Sequence, residues 1–251
     1  MEKILAIILA VITDQWTEQA TGQQIIDRCR SANWLKSYLS KVMTAIGNMG
    51  VTQGYLIAFI LLAPLLLGVL LVQQLMMHLL TKMLGSLLFA VFSLFYFLGN
   101  KESKRSYSDF VVAHERSFGV LFWFAVLGPV GALTYWFLVA STQSDLVSEQ
   151  NNASLSAALN RMHAIAAWIP ARLTGFLYAL LGNFAAGFGC WLSCMRNVSM
   201  QSSEVLDQCG KAATDSSVGD EESKLVYRAS ISWVVLSVLI VILLKAILFK
   251  V

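Results

Sequence analysis

Four long apolar runs constrain this chain more than any other feature. They cover residues 51–72, 75–98, 118–140 and 231–249. A helix needs about 20 apolar residues to cross a bilayer. Inside hydrocarbon every backbone polar group must be satisfied internally, so runs of this length read as helices. The first run contains Pro64 and Gly68, and the third, "FGVLFWFAVLGPVGALTYWFLVA", carries no charge. Only Gln73–Gln74 separates the first two, which predicts a tight helical hairpin. Only 13% of the 251 residues are charged, about half the usual soluble share of ~25%. The expected class is an all-α integral membrane protein with about four transmembrane helices, and its first partner is the lipid bilayer.

Loop charge predicts a topology, because Lys and Arg favour the cytoplasmic side. The N-terminal segment holds Lys3, Arg28, Arg30, Lys36 and Lys41, and the 99–117 loop holds Lys101, Lys104, Arg105 and Arg116. With both termini inside, these loops are cytoplasmic and the long 141–230 segment lies opposite. Four regions follow. Residues 1–50 form a membrane-surface segment, its "MEKILAIILAVITDQ" start read as retained. Residues 51–140 hold three spans and a short basic loop. Residues 141–230 form a periplasmic or interfacial helical region, and 231–251 the last span. Residues 164–192 are apolar enough for a fifth span. If Pro170 opens a helix and Gly182 ends it, the piece is too short to cross. The 150–195 region is therefore expected to hold interfacial or re-entrant helices.

Several positions can carry chemistry. "HERSF" places His114, Glu115 and Arg116 at the mouth of the third span; they fit an anion or acid–base site, or simple headgroup anchoring. Gly128, Pro129 and Gly131 interrupt that span, reading either as a broken helix beside a site or as small-residue packing. His78 and Lys82 share a helix face if the second span begins at 75. Arg161, His163 and Arg172 flank the Trp168–Pro170 turn; a guanidinium at a helix start suits a carboxylate or phosphate, or a lipid phosphate by snorkelling. Cys190 and Cys194 lack paired C-x-x-C spacing and read, with Cys29 and Cys209, as small buried hydrophobes; a disulfide through Cys209 is the alternative. No metal site, nucleotide motif or basic–aromatic nucleic-acid face is expected. The sequence leaves any cofactor unknown.

One stretch is more specific. "RMHAIAAWIPARLTGFLYALLGNF" and, upstream, "ERSFGVLFWFAVLGPVGALTYWFL" resemble the AmpE/CobD (CbiB) family of bacterial inner-membrane proteins, with "VLDQCGKAA" a weaker echo further on. The resemblance rests on Arg161, Trp168, Ile169, Pro170, Arg172 and Leu173. It implies a multi-pass inner-membrane protein. The cobalamin branch carries an acidic pair after its arginine and an "NTLDSM-x-GY" motif; here the first positions are His163 and Ala164, and "STQSDLVSEQ" stands for the second. The resemblance therefore favours the AmpE branch, which implies signalling in β-lactamase induction linked to cell-wall recycling. A cobalamin-type amide ligase is the alternative. Implied partners are an anionic ligand held by Arg161 and Arg172, with Glu115 and Arg116 ordering the opposite face, or another inner-membrane protein.

Overall fold

The computed structural model describes residues 2–19, 33–48, 53–80, 82–98, 108–143, 153–214 and 221–248. Among these residues there are helices and no strands. The helices are α1 (Glu2–Gln19), α2 (Asn33–Asn48), α3 (Gly54–Leu79), α4 (Lys82–Phe97), α5 (Asp109–Leu127), α6 (Pro129–Gln143), α7 (Ala153–Leu181), α8 (Phe184–Arg196), α9 (Ser202–Ala213) and α10 (Glu221–Leu248). Four of them, α3, α5, α7 and α10, are long and apolar enough to cross a membrane. The chain is an all-α membrane protein.

The helices divide by what they face. On α3, Gly54, Ile57, Ala58, Leu61 and Leu62 are buried at helical spacing, whereas Phe59, Leu67 and Leu71 point outward. In water such a face would be costly; in a bilayer it is the lipid-facing side. Helix α10 is built the same way, with Trp233, Ser237 and Val241 turned inward and Val235, Leu239 and Leu243 outward. Helix α5 sits at the centre, with Phe110, Phe118, Val120 and Phe124 all buried.

Three sequence expectations need correction. The first hairpin does not turn at Gln73–Gln74. Helix α3 runs through both glutamines to Leu79, and Leu80 leaves helical geometry at φ −115° and ψ 171°. Gln is a good helix former and breaks nothing by being polar. His78 and Lys82 therefore flank the turn on different helices, both exposed.

The third apolar run is not one span. It breaks at Gly128, whose φ of 74° and ψ of −151° fall in a region open essentially to glycine alone. Proline then starts α6 without needing a donor. Helices α5 and α6 fold back on each other as an antiparallel pair. A side chain at Gly119 would strike the Tyr135 ring, and one at Gly131 would strike the Trp123 carbonyl. The run therefore breaks at Gly128, and small residues carry the close packing of the two helices.

Pro170 does not open a helix. It lies inside the 29-residue α7. A proline leaves the carbonyl four residues earlier without its amide partner. That carbonyl is Ala166, and the Trp123 indole N–H donates to it at 3.0 Å. Gly182 does mark the helix end, with Asn183 capping α8 through a bond from the Ala186 amide at 3.3 Å.

The ends of the bundle can be read from contacts. At one end Ser86 donates to Glu2 at 2.6 Å and the Lys3 side chain reaches Gly128. At the other, Tyr178 donates to the Phe110 carbonyl at 3.1 Å, Gln143 to Glu115 at 2.7 Å, and Gly210 packs on Phe110. Helix ends flanking the 99–107, 144–152 and 215–220 segments thus share one end, whereas loop charge alone set the first apart from the other two. Reporter fusions at Arg105, Gln150 and Asp215 are expected to report one side of the membrane and a fusion at Val251 the other. In a second check, Gly128→Ala should cost about 1–3 kcal/mol in a detergent thermal melt. Gly189→Ala, at a helical site open to a methyl group, should be neutral or stabilising.

Candidate functional site

A polar cleft of about 270 Å³ opens where α5, α6, α7 and α9 meet, lined among others by His114, Glu115, Gln143, Asn160, His163 and Ser202. The wall on α5 is a π turn, His114–Phe118, in which the Gly119 amide bonds back to the His114 carbonyl. Such wide turns are inserted single residues that commonly re-aim side chains at functional sites. Here the turn buries His114, leaving it 1% exposed, while Glu115 and Arg116 stay half-buried.

His114 is held by a node of hydrogen bonds. The Thr174 hydroxyl donates to the Pro170 carbonyl at 2.8 Å. Its one proton is used there, so it accepts from Trp233 Nε1–H at 3.2 Å and from His114 Nδ1, 3.1 Å away. This bonding assigns the neutral tautomer with the proton on Nδ1. His114 Nε2 is then an acceptor, buried and without a partner among the described residues. Tyr135, T-shaped against His114 and tilted against His163, joins the two imidazoles through one aromatic ring.

The sequence candidates separate in space. Glu115 and His163 line the same cleft. Arg116 lines two neighbouring hollows, one of about 430 Å³ toward α10 and a small one beside Trp136. Arg161 is exposed on α7. It lies three helical turns from Arg172, about 16 Å by helix rise, so the two do not converge on one small anion.

Arg172 is 4% exposed and is spent inside the protein. Its guanidinium donates to the Trp168 and Val198 carbonyls, each at 3.3 Å, and lies 4.1 Å over the Trp168 ring. Trp168 Nε1–H also donates to Val198 at 3.3 Å, and Trp191 Nε1–H donates to the Arg172 carbonyl at 2.9 Å. Val198 follows directly after α8, whose C-terminal carbonyls attract a cation. The W-I-P-A-R stretch is therefore a clasp. Pro170 and Trp168 shape the helix, and Arg172 ties it to the end of α8.

Sequence reasoning missed His114 as the centre of the node, although it named the residue. It also missed a second cluster. Cys190 and Cys194 on α8 and Cys209 on α9 bring their sulfurs within 4.8 Å of one another. Burial pushes the Cys194 and Cys209 thiols up; Cys190 adds to the rise at both, and Cys194 adds to it at Cys209. No local spacing announces this trio.

Arg172→Lys keeps the charge but loses the planar fork and the stacking on Trp168. It should destabilise the protein by about 2 kcal/mol, nearly as much as Arg172→Ala, read as a lowered thermal midpoint in detergent. A wild-type midpoint for Arg172→Lys would reduce the clasp to a simple point charge.

The family model described as "Regulatory signalling modulator protein AmpE" matches residues 117–250, more than half of the chain. A cobalamin biosynthesis protein CobD from Chromobacterium violaceum is 40% identical over 76 residues, 30% of this chain and 24% of that protein. The match thus spans about a quarter of that relative's length. No solved structure matches. The family model covers α5 from Ser117 onward, α6, the clasp and α10, and the chain belongs to the AmpE family of regulatory signalling modulator proteins.

Proposed function

We propose that this chain is an inner-membrane regulatory protein of β-lactamase induction, coupled to cell-wall recycling, that senses a small polar ligand in the cleft between α5, α6, α7 and α9. The observation that carries the reading is the family match over 117–250 together with the chemistry of the cleft. Two imidazoles, a carboxylate and three amides line it. That set supplies donors and acceptors for a hydroxyl- and amide-bearing molecule better than it supplies cations for an anion. Arg161 remains as the exposed cation on the same helix and serves a headgroup or a partner protein in the membrane. A ligand bound to His114 Nε2 or Glu115 acts on the π turn, and through Thr174 on α7 and α10.

The partial match to a cobalamin biosynthesis protein motivates a second reading, an amide-forming enzyme of corrinoid synthesis. The first reading does not predict that activity, so one pair of measurements separates them. Deletion of the gene should change β-lactam-induced β-lactamase severalfold, and a His163→Ala, Glu115→Gln double variant should reproduce the deletion at normal protein level. Wild-type induction in the deletion strain sinks the regulatory reading. Rescue of a corrinoid auxotroph by this chain would establish the second reading in its place.

A further inference from the structure

We propose that Cys190, Cys194 and Cys209 form a binding site for a thiophilic cation, Zn(II) or Cu(I). The two α8 cysteines stand one helical turn apart and present their sulfurs to the same side. Cys209 reaches them from α9. The three sulfurs lie within 4.8 Å of one another. A tetrahedral zinc site with Zn–S bonds of about 2.3 Å places its sulfurs about 3.8 Å apart. The cluster closes to that spacing by side-chain rotation and a small inward shift.

The surroundings suit a metal. Cys209 is fully buried and Cys194 is 3% exposed. Gly175 on α7 leaves room, since a side chain there would meet the Cys209 sulfur at 3.3 Å. The Gln208 amide oxygen lies 3.9 Å from Cys194 Sγ and is the nearby oxygen for a fourth ligand, which Zn(II) uses and trigonal Cu(I) does without. Three thiolates around either cation leave net negative charge, and Arg172 lies within electrostatic range of Cys194 to offset it. The metal would join α8 to α9 beside the Arg172 clasp. The cluster also belongs to the end of the bundle bearing the basic 99–107 loop. All three are free thiols, the form in which a cysteine cluster gives up its protons and binds a metal.

The test uses the full chain purified in detergent, reduced and stripped with chelator. Co(II), as a probe for Zn(II), is titrated in and followed by its thiolate charge-transfer and visible bands; Cu(I) is titrated against a competing chelator. One equivalent of Co(II) or Cu(I) should bind, and whichever cation displaces the other identifies the occupant. Cys190→Ser, Cys194→Ser and Cys209→Ser should each weaken binding by more than about 100-fold, beyond the loss of an outer-shell partner. Cys29→Ser should bind as the parent does. Gel filtration confirms that the variants remain folded, and matching Ala variants are the fallback. The proposal is overturned if the parent chain gives no thiolate–metal band with Co(II) and no uptake of Cu(I). It is equally overturned if binding survives Cys194→Ser, or if alkylation of protein isolated without reductant finds two of the three cysteines joined in a disulfide.

Discussion

The Thr174 hydroxyl is the smallest group on which the most structure depends. A proline at position 170 removes an amide from the middle of a 29-residue helix, and apolar surroundings cannot supply water in its place. The protein answers with side chains. Trp123 satisfies the freed Ala166 carbonyl, and Thr174 donates to Pro170 itself. Having given its proton away, the hydroxyl is left as a pure acceptor, and it draws Trp233 from α10 and His114 from the π turn. Trp123 ties α5 to α7 at the defect, and one turn on the Thr174 hydroxyl gathers α5, α7 and α10. Stacking of Phe118 on Trp233 at 5.8 Å packs the same junction.

Arg172 carries the same logic one turn on. A guanidinium among apolar residues is costly unless its donors are met. Two carbonyls and an indole face take up the terminal nitrogens, Nε–H stays buried without a partner among the described residues, and the ion acts as a joint between α7 and the end of α8.

How much of this was legible in the sequence varies by element. Apolar run length identified the class, because backbone satisfaction in hydrocarbon leaves few alternatives. The stretch around Trp168 to Leu173 identified the family. Gly182 as a helix end was also readable, since it stands between an apolar helix and a capping asparagine. Pro170 was misread for a physical reason. Local rules place proline at a helix start, and only the indole of Trp123, 43 residues away, makes an interior position tolerable. The interruption at Gly128 was visible, but whether the chain continues or doubles back depends on the fit of Gly119 to Tyr135 and Gly131 to Trp123. The cysteine trio was illegible because Cys209 joins the others only through the packing of α9 on α8.

The π turn at His114–Phe118 has a consequence for the reading frame of the helix. It holds one residue more than an α-turn would. Residues 109–113 are therefore rotated by about 100° relative to 119–127, compared with an unbroken α-helix. Deleting a single residue within the turn would let the hydrogen bonds close as an ordinary helix. Phe110 would then swing away from Tyr178, while Phe118 and Phe122 kept their seats against Trp233. The turn works as a one-residue phase shift. It lets a single helix meet α9 and Tyr178 of α7 at its start and α6 further along, with α10 packed against both parts.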